Sequence, residues 1–307
     1  DWLSSRGLGD VYKRQAVVDT GSFSAAAQSL HTVQSNISTH IARLEQELSV
    51  SLIDRRTGVL TEEGALVVER ARRVQTELES ISLDVKALHT EVSGIVRLGV
   101  IGTTGRWVSP ILLESMTQKY PKVKIQITDA VTSNLMPLVV QGRVDGAIVN
   151  LPINHPDVEA EPLFEEEPVL VAPNSHPLSK YDSVTPAVLA EFPLLLNPKG
   201  VPFRDSLDRD LATHGIKLSP KAEVDGMRLL ASLATDGFGA AILPATAAQG
   251  AGKWKRIPLE GFTRRIVGLA TNKRVPLSAT TRVVREVLRQ MILEYGSDQN
   301  GIYLANK

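Results

Sequence analysis

The stretch from Ala16 to Gly64 constrains this chain more than any other. Ser22 is a good helix N-cap, because its hydroxyl can accept from the free N–H groups of the turn it opens. Phe23, Ala26, Ala27 and Leu30 then fall on one helical face. His31 and Thr32 make a turn. A second helix follows from about Val33 to Leu48, with Ile37, Ile41, Leu44 and Leu48 inward. Its opposite face carries Gln34, Ser35, Asn36, Ser38, Thr39, His40 and Arg43, with no acid before Glu45. Amides, hydroxyls and a guanidinium are the groups that read base edges and phosphates in a DNA major groove. A hairpin with Arg55 and Arg56 follows as a wing.

The spacing of Gly21-Ser22-Phe23, Ala26-Ala27, Leu30, Gln34, Ile37-Ser38, Ile41, Leu44-Glu45, Leu48, Leu52, Arg55 and Leu60-Thr61 up to Gly64 resembles the winged helix-turn-helix of LysR-type transcriptional regulators. Two positions depart from it: Ser49 stands where the family usually has Gly, and Ile53 where it usually has Phe. The first fifteen residues, DWLSSRGLGDVYKRQ, fit poorly as the first helix of such a domain. Arg14 replaces an aromatic, and Gly7-Leu8-Gly9 breaks the helical pattern. They read as an atypical segment, foreign to the domain and joined near Ala16; the alternative is a divergent first helix.

Thr61 reads as the N-cap of a long helix with Glu62 and Glu63 in its first turn, where the helix dipole favours acids. Val67, Ala71, Val74, Leu78, Ile81, Val85 and Leu88 then form a narrow apolar seam, held for about three heptads between charged flanks. A seam that narrow suits a helix–helix pair better than a helix lying on its own domain. The resemblance implies the same, since LysR-type regulators dimerise through this linker, residues 61–91.

From Gly94 the pattern alternates. Strands are expected at Ile95–Ile101, Val123–Thr128, Val144–Asn150, Pro168–Ala172, Leu194–Asn197, Lys221–Val224, Ala240–Leu243 and Arg264–Thr271. Helices are expected at Arg106–Lys119, Ser133–Gln141, Phe203 to about Thr213, Gly226–Thr235 and Ala279–Glu294. Such alternation predicts parallel sheet with crossover helices. Residues 296–307 read as a polar, frayed tail. The stretches Val96-Arg97-Leu98-Gly99-Val100, Gly142 to Ile148, His176-Pro177-Leu178 and Gly237 to Pro244 resemble the family's effector-binding domain. The fold class is therefore α/β: an N-terminal all-α winged helix-turn-helix (16–64), a long linker helix, and a two-lobed, periplasmic-binding-protein-like (type 2) domain over 94–295. By that likeness lobe I is 94–164 with 269–295, lobe II is 165–268, and the chain crosses near Glu165–Glu167 and Val267–Ala270.

Gly102-Thr103-Thr104-Gly105 follows a strand and precedes a helix, where backbone N–H groups favour an anion. It lacks the lysine of a P-loop, so nucleotide binding is not expected. A hydroxyl-capped helix is an equal reading of the residues alone; the family's effectors commonly meet this turn. Ser133, Pro152, Asn197, Phe203, Arg204 and Met227 are further pocket-edge candidates. Arg204 could grip a carboxylate in two places, or form a surface pair with Asp205 and Asp208. The effector class this suggests is a small, partly apolar organic acid.

Net charge is zero, and Ala16 to Leu60 holds three Arg against four acids, so a monomer would bind DNA weakly by counterion release. An obligate oligomer on DNA is expected. There is no Cys, which excludes disulfides, thiolate metal sites and cysteine nucleophiles. No apolar run approaches the roughly 18 residues of a membrane span, and no signal peptide opens the chain, so the expected location is cytoplasmic. The six His show no metal-ligand spacing, no catalytic motif stands out, and no cofactor is expected. Glu165-Glu166-Glu167 reads as a solvated strand rather than an acid/base pair. The resemblance implies Gln34, Ser35, Asn36, Ser38, Thr39 and His40 in the major groove, Arg43 on phosphate, and Arg55 and Arg56 serving the wing. It also implies double-stranded operator DNA as partner, contact with RNA polymerase, and a homodimer that pairs into a tetramer, shifted by effector binding. The alternatives are a solute-binding protein of the same two-lobed fold and an enzyme on that scaffold. One reading of the gene settles the odd N-terminus: an intact genomic coding frame through Ala16 refutes a foreign segment, and a break there supports it.

Overall fold

The computed structural model describes residues 34–54, 57, 59–71, 74, 81, 85, 91–250, 252–296 and 301–305. The expected first helix, the atypical start, Arg55, Arg56, Leu78 and Leu88 lie outside the described residues. The chain divides into two compact units, the second holding nearly everything from Glu91 on.

In the first unit, α1 spans Gln34–Leu48. Ile41 is buried with Leu52 and Ile53, and Leu44, Val50, Leu60 and Val67 pack around them. Leu48, expected inward, is exposed. The helix ends in a Schellman arrangement: the N–H of Val50 donates to the Glu45 carbonyl (3.1 Å) and that of Ser49 to the Gln46 carbonyl (3.3 Å). This geometry puts Ser49 in the left-handed region at φ 57°. That is the reason a glycine is normal there: a Cβ is a cost. The Glu45 carboxylate accepts from Leu52 N–H (2.7 Å) and fixes the chain leaving the helix. The wing is held by the Ile53–Leu60 bridge, and Ile53 fills the core in place of the usual aromatic.

Thr61 caps the next helix, α2 (62–71, with 74, 81 and 85 also helical): its hydroxyl accepts from Gly64 N–H at 3.0 Å. Gly64 permits the close approach, because a Cβ there would lie 1.9 Å from the Leu52 carbonyl oxygen. Of the seam, Val67 packs on the unit's own core, while Val74, Ile81 and Val85 are each about half exposed.

The second unit contains two sheets. The first is ordered β11-β4-β10-β3-β1-β2, from β1 (Gly94–Val100), β2 (Val123–Asp129), β3 (Gly146–Leu151), β4 (Val158–Glu166), β10 (Arg265–Asn272) and β11 (Ile302–Leu304). The second is ordered β7-β6-β8-β5-β9, from β5 (Pro168–Pro173), β6 (Leu194–Leu196), β7 (Pro220–Glu223), β8 (Ala241–Pro244) and β9 (Trp254–Pro258). The helices are α3 (Gly102–Lys119), α4 (Thr132–Val140), α5 (Pro186–Ala190), α6 (Pro202–Ala212), α7 (Met227–Thr235) and α8 (Ala279–Tyr295). Lobe I buries Trp107 edge-on to Phe164 between α3, α8 and the sheet. Lobe II buries Leu170, Leu189, Leu194 and Leu211 on one side of its sheet and Leu230, Ala234 and Leu243 on the other.

Four expectations are corrected. The sheets are mixed, since β10 runs antiparallel to both β3 and β4, and β5 antiparallel to β8 and β9. Strands β4 and β9 carry too little periodic apolar signal to be read from sequence. All of β10 belongs to lobe I, so the second crossing precedes Arg265. The tail is not simply frayed: Ile302, Tyr303 and Leu304 pair with Glu166, Glu165 and Phe164, and Ile302 is buried. No helix among the described residues is long and apolar enough to cross a membrane.

The left-handed Ser49 generates a prediction. Ser49→Gly should stabilise the first unit by about 1 kcal/mol, the strain of an L-residue in that region less the extra chain entropy of glycine. Urea unfolding followed by helical circular dichroism measures it; no gain would mean that this turn is not strained in solution.

Candidate functional site

Two of the candidate effector residues, Thr103 and Phe203, flank Arg265 where the chain passes between the two sheets. Helix α3 begins four residues earlier than expected, so Gly102, Thr103 and Thr104 form its first turn rather than a loop before it. No side chain caps that turn and no acid lies in it. Thr103 and Thr104 are buried, and the Thr104 hydroxyl has no hydrogen-bond partner among the described residues. Gly102 sits under an ion pair between the lobes: Asp129, ending β2, meets Arg228, in the first turn of α7, at 2.8 Å. A Cβ on Gly102 would stand 3.0 Å from Asp129 Oδ1.

The central feature was not legible in the sequence. Glu166, read as solvated, is fully buried. Its Oε1 accepts from the backbone N–H of Thr246 in lobe II at 2.5 Å. Its Oε2 accepts from Arg265 Nε at 2.6 Å and lies 2.5 Å from Nη2. Arg265 Nη2 also donates to Thr103 Oγ1 at 3.3 Å. The Arg265 guanidinium lies 6.0 Å from the ring centre of Phe203, in the first turn of α6. One arginine thus joins Thr103 and Phe203, candidates from opposite lobes, to a buried carboxylate. Pleat alternation explains the error about Glu166. At the end of β4, Glu165 and the residue just past the strand, Glu167, stay partly exposed, while Glu166 turns inward. Glu165 pairs with Arg264 at 3.5 Å, and Glu167 accepts from the Tyr303 hydroxyl at 2.9 Å. That bond, then burial, holds the Tyr303 phenol above its ordinary pKa. Burial lowers the pKa of nearby Arg256, against the pull of Glu167, Glu166 and Tyr303.

Arg204 is corrected as well. Its pair with Asp208 is present, Nε to Oδ1 at 2.9 Å, but the side chain is buried rather than on the surface, with Nη1 on the Asn197 carbonyl at 2.9 Å. Glu223 lies 3.7 Å from Nη1. Asn197 donates its amide to the Val224 carbonyl, and its buried Oδ1 has no partner among the described residues. Ser133 and Pro152 are exposed on the lobe I rim, where Thr132 Oγ1 accepts from Asn150 N–H at 3.3 Å. Met227 packs against the lobe II core next to Arg228.

On the N-terminal unit, Thr39 and Arg43 are exposed while Ile41 is buried, so α1 turns a polar face outward. Arg43 Nε lies 3.3 Å from Glu47, an exposed pair of little energetic weight. The backbone of Gln34, Ser35, Asn36, Ser38 and His40 lies in α1, and their side chains lie outside the described residues. Among the described residues no group of His, Asp and Glu could hold a metal ion.

The Glu166–Arg265 pair generates a prediction. Arg265→Met strands a buried carboxylate and should cost about 3–5 kcal/mol. Adding Glu166→Gln removes the charge, keeps an acceptor for Thr246 N–H, and should recover more than half of the loss. Calorimetric or urea unfolding of both variants checks this; equal losses would mean that the carboxylate does not depend on Arg265.

Comparison with known proteins agrees with this architecture. Residues 89–292 match the LysR substrate binding domain, and residues 14–65 match the bacterial regulatory helix-turn-helix protein model of the lysR family. The chain is 30% identical over 289 residues to a probable hydrogen peroxide-inducible genes activator of Mycobacterium leprae, covering 90% of this chain and 91% of that one. It is 32% identical over 245 residues to the uncharacterized HTH-type transcriptional regulator YusT of Bacillus subtilis, covering 78% and 80%. Among solved structures, a full-length OxyR cysteine variant from Pseudomonas aeruginosa superposes with a TM-score of 0.76 at 23% identity, covering 99% of each chain. Full-length CbnR, solved with its target DNA, gives 0.68 at 21% identity, covering 92% of this chain and 99% of that one. With a helix-turn-helix, a two-sheet effector domain and both family models matched, the chain belongs to the LysR family of DNA-binding transcriptional regulators.

Proposed function

We propose that this regulator reads operator DNA through Gln34, Ser35, Asn36, Ser38, Thr39 and His40, with Arg43, Arg55 and Arg56 on phosphates or in the minor groove. The observation that carries this reading is the polarity of α1: Thr39 and Arg43 face out from a helix whose Ile41 is fixed in the core. The low local charge makes a single copy a weak binder, so two helices from a dimer are needed to reach operator affinity. Half-exposed Val74, Ile81 and Val85 supply an apolar stripe for pairing linker helices, and Leu78 and Leu88 extend it in the sequence. A pair of such dimers, acting in the cytoplasm and touching RNA polymerase, is the assembly this reading adopts from the family.

A small-molecule effector binds between the lobes at Thr103, and the protein works by binding alone, without catalysis. Its occupancy changes the arrangement of DNA-binding pairs, which needs a difference in affinity between two assemblies of about 1–3 kcal/mol. Some relatives are described as activators of peroxide-inducible genes. This chain contains no cysteine, so a signal carried by thiol oxidation is closed to it.

Fluorescence anisotropy on DNA from immediately upstream of the gene tests the DNA half. Arg55→Ala should weaken binding to every sequence and reduce the salt slope by about 1, as loss of one phosphate contact does. Gln34→Ala should instead relax preference at particular base pairs, by about 1–3 kcal/mol at the position it reads. Identical behaviour of the two variants would refute the division into clamp and reader.

A further inference from the structure

We propose that Thr61 and Glu45 lock the angle between the recognition helix α1 and the linker helix α2, and that this joint sets which spacing of operator half-sites the regulator accepts. This rests on the reading that α1 enters the groove and that linker helices pair.

The joint is built on one short piece of chain, Ser51 to Ile53. From the linker side, Thr61 holds it at two points. The Thr61 hydroxyl donates to the Ser51 carbonyl at 2.6 Å, and the Thr61 N–H donates to the Leu52 carbonyl at 3.1 Å. The same hydroxyl oxygen accepts from Gly64 N–H, so donor and acceptor are both committed and the side chain is tied into the first turn of α2. From the recognition side, Glu45 Oε1 accepts from Leu52 N–H at 2.7 Å and from Ile53 N–H at 3.4 Å. The backbone of Leu52 is therefore claimed by α1 through its N–H and by α2 through its carbonyl.

One attachment fixes a position, whereas two fix a direction as well. Tilting α2 about its first turn must stretch one of the two Thr61 bonds, and hydrogen bonds weaken steeply as they lengthen and bend. Tilting α1 about its C-terminus must loosen Glu45 in the same way. Packing agrees: Leu52 and Ile53 are buried with Ile41 of α1, and Val67 of α2 closes on the same cluster. The wing stands outside this joint. Its base is closed by the Ile53–Leu60 bridge and by Asp54 N–H on the Val59 carbonyl at 2.9 Å, so motion of its tip leaves Leu52 undisturbed.

With two copies of α2 paired, a stiff joint dictates the separation and the relative rotation of the two recognition helices. Each base pair inserted between half-sites turns one of them by about 34° around the DNA axis, because a turn holds about 10.5 base pairs. A stiff pair cannot follow that rotation and a loose one can. Thr61 is thus a positioning residue, acting on specificity through α1 and the base edges that α1 reads.

The test uses the full chain. It contains no cysteine, so Ala42→Cys on α1 and Arg70→Cys on α2, both at exposed positions, take spin labels without competition. Labelled chains co-assembled with about a tenfold excess of unlabelled chain report the distance within one copy by pulsed electron resonance. The distribution should be narrow, and Thr61→Val should broaden it at least about twofold. Glu45→Ala, which breaks the other side of the joint, should do the same and carries the test if the valine variant fails to fold. Thr61→Ser, which keeps the hydroxyl, should restore the narrow distribution. On DNA from immediately upstream of the gene, with half-sites placed by footprinting, inserting two base pairs between them should weaken the unsubstituted protein about a hundredfold, the avidity lost when both sites cannot be held. For Thr61→Val the penalty should fall below about tenfold. A distribution that is broad from the start, or that neither variant changes, overturns the locked joint. A broadened joint with the full insertion penalty overturns Thr61 as the determinant of spacing. A narrow joint in a protein indifferent to the insertion sinks the paired-linker reading, and the proposal with it.

Discussion

A single buried carboxylate organises the effector domain. Glu166 is the last residue of a lobe I strand, and two residues later the chain has entered the sheet of lobe II. An ionised group in that position is strongly disfavoured unless every oxygen is satisfied. The structure satisfies it from three directions: from the side chain that opens the returning strand, from a lobe II backbone amide, and indirectly from the first turn of α3 through Thr103. Both crossings and both lobes therefore meet at one charge. Neutralising that charge fixes where Arg265 lies, and with it which donors remain for anything that enters the cleft.

Local rules made the N-terminal unit readable. Capping by Thr61, burial of Ile41 and the turn at Ser49 depend on neighbours within a few residues, and such short-range physics can be read from spacing. The structure even supplies the reason for the departure at position 49: a left-handed residue that happens to carry a side chain. The alternating apolar runs of the effector domain were equally plain, and their helices and strands mostly fall within a few residues of expectation.

The remainder depended on distant partners. Whether β10 runs parallel or antiparallel is decided by where the chain returns, which no local pattern records. The burial of Glu166 and of Arg204 was missed for that reason. Arg204 does pair with the nearby Asp208, yet it is buried, and its further partners Asn197 and Glu223 are brought to it only by the lobe II fold. Glu166 stands in an acidic run typical of a solvated strand, and its partners Arg265 and Thr246 lie far along the chain. Of the candidate effector residues, Thr103 and Phe203 come together at the crossing, Asn197 and Arg204 brace lobe II from inside, and Ser133 and Pro152 stand on the lobe I rim.

The short strand β11 bears on how this protein is made. Lobe II is continuous from Pro168 to Pro258, so its whole sheet leaves the ribosome in one run. The lobe I sheet needs β10 in its interior and β11 at its edge, and both come last. Domains generally fold as their segments emerge. Lobe I therefore waits with β3 and β4 unpaired across the gap that β10 must fill, while lobe II is already complete. That interval, set by strand order alone, is when the nascent chain is most open to strand-pairing errors and to chaperones that shield exposed edges.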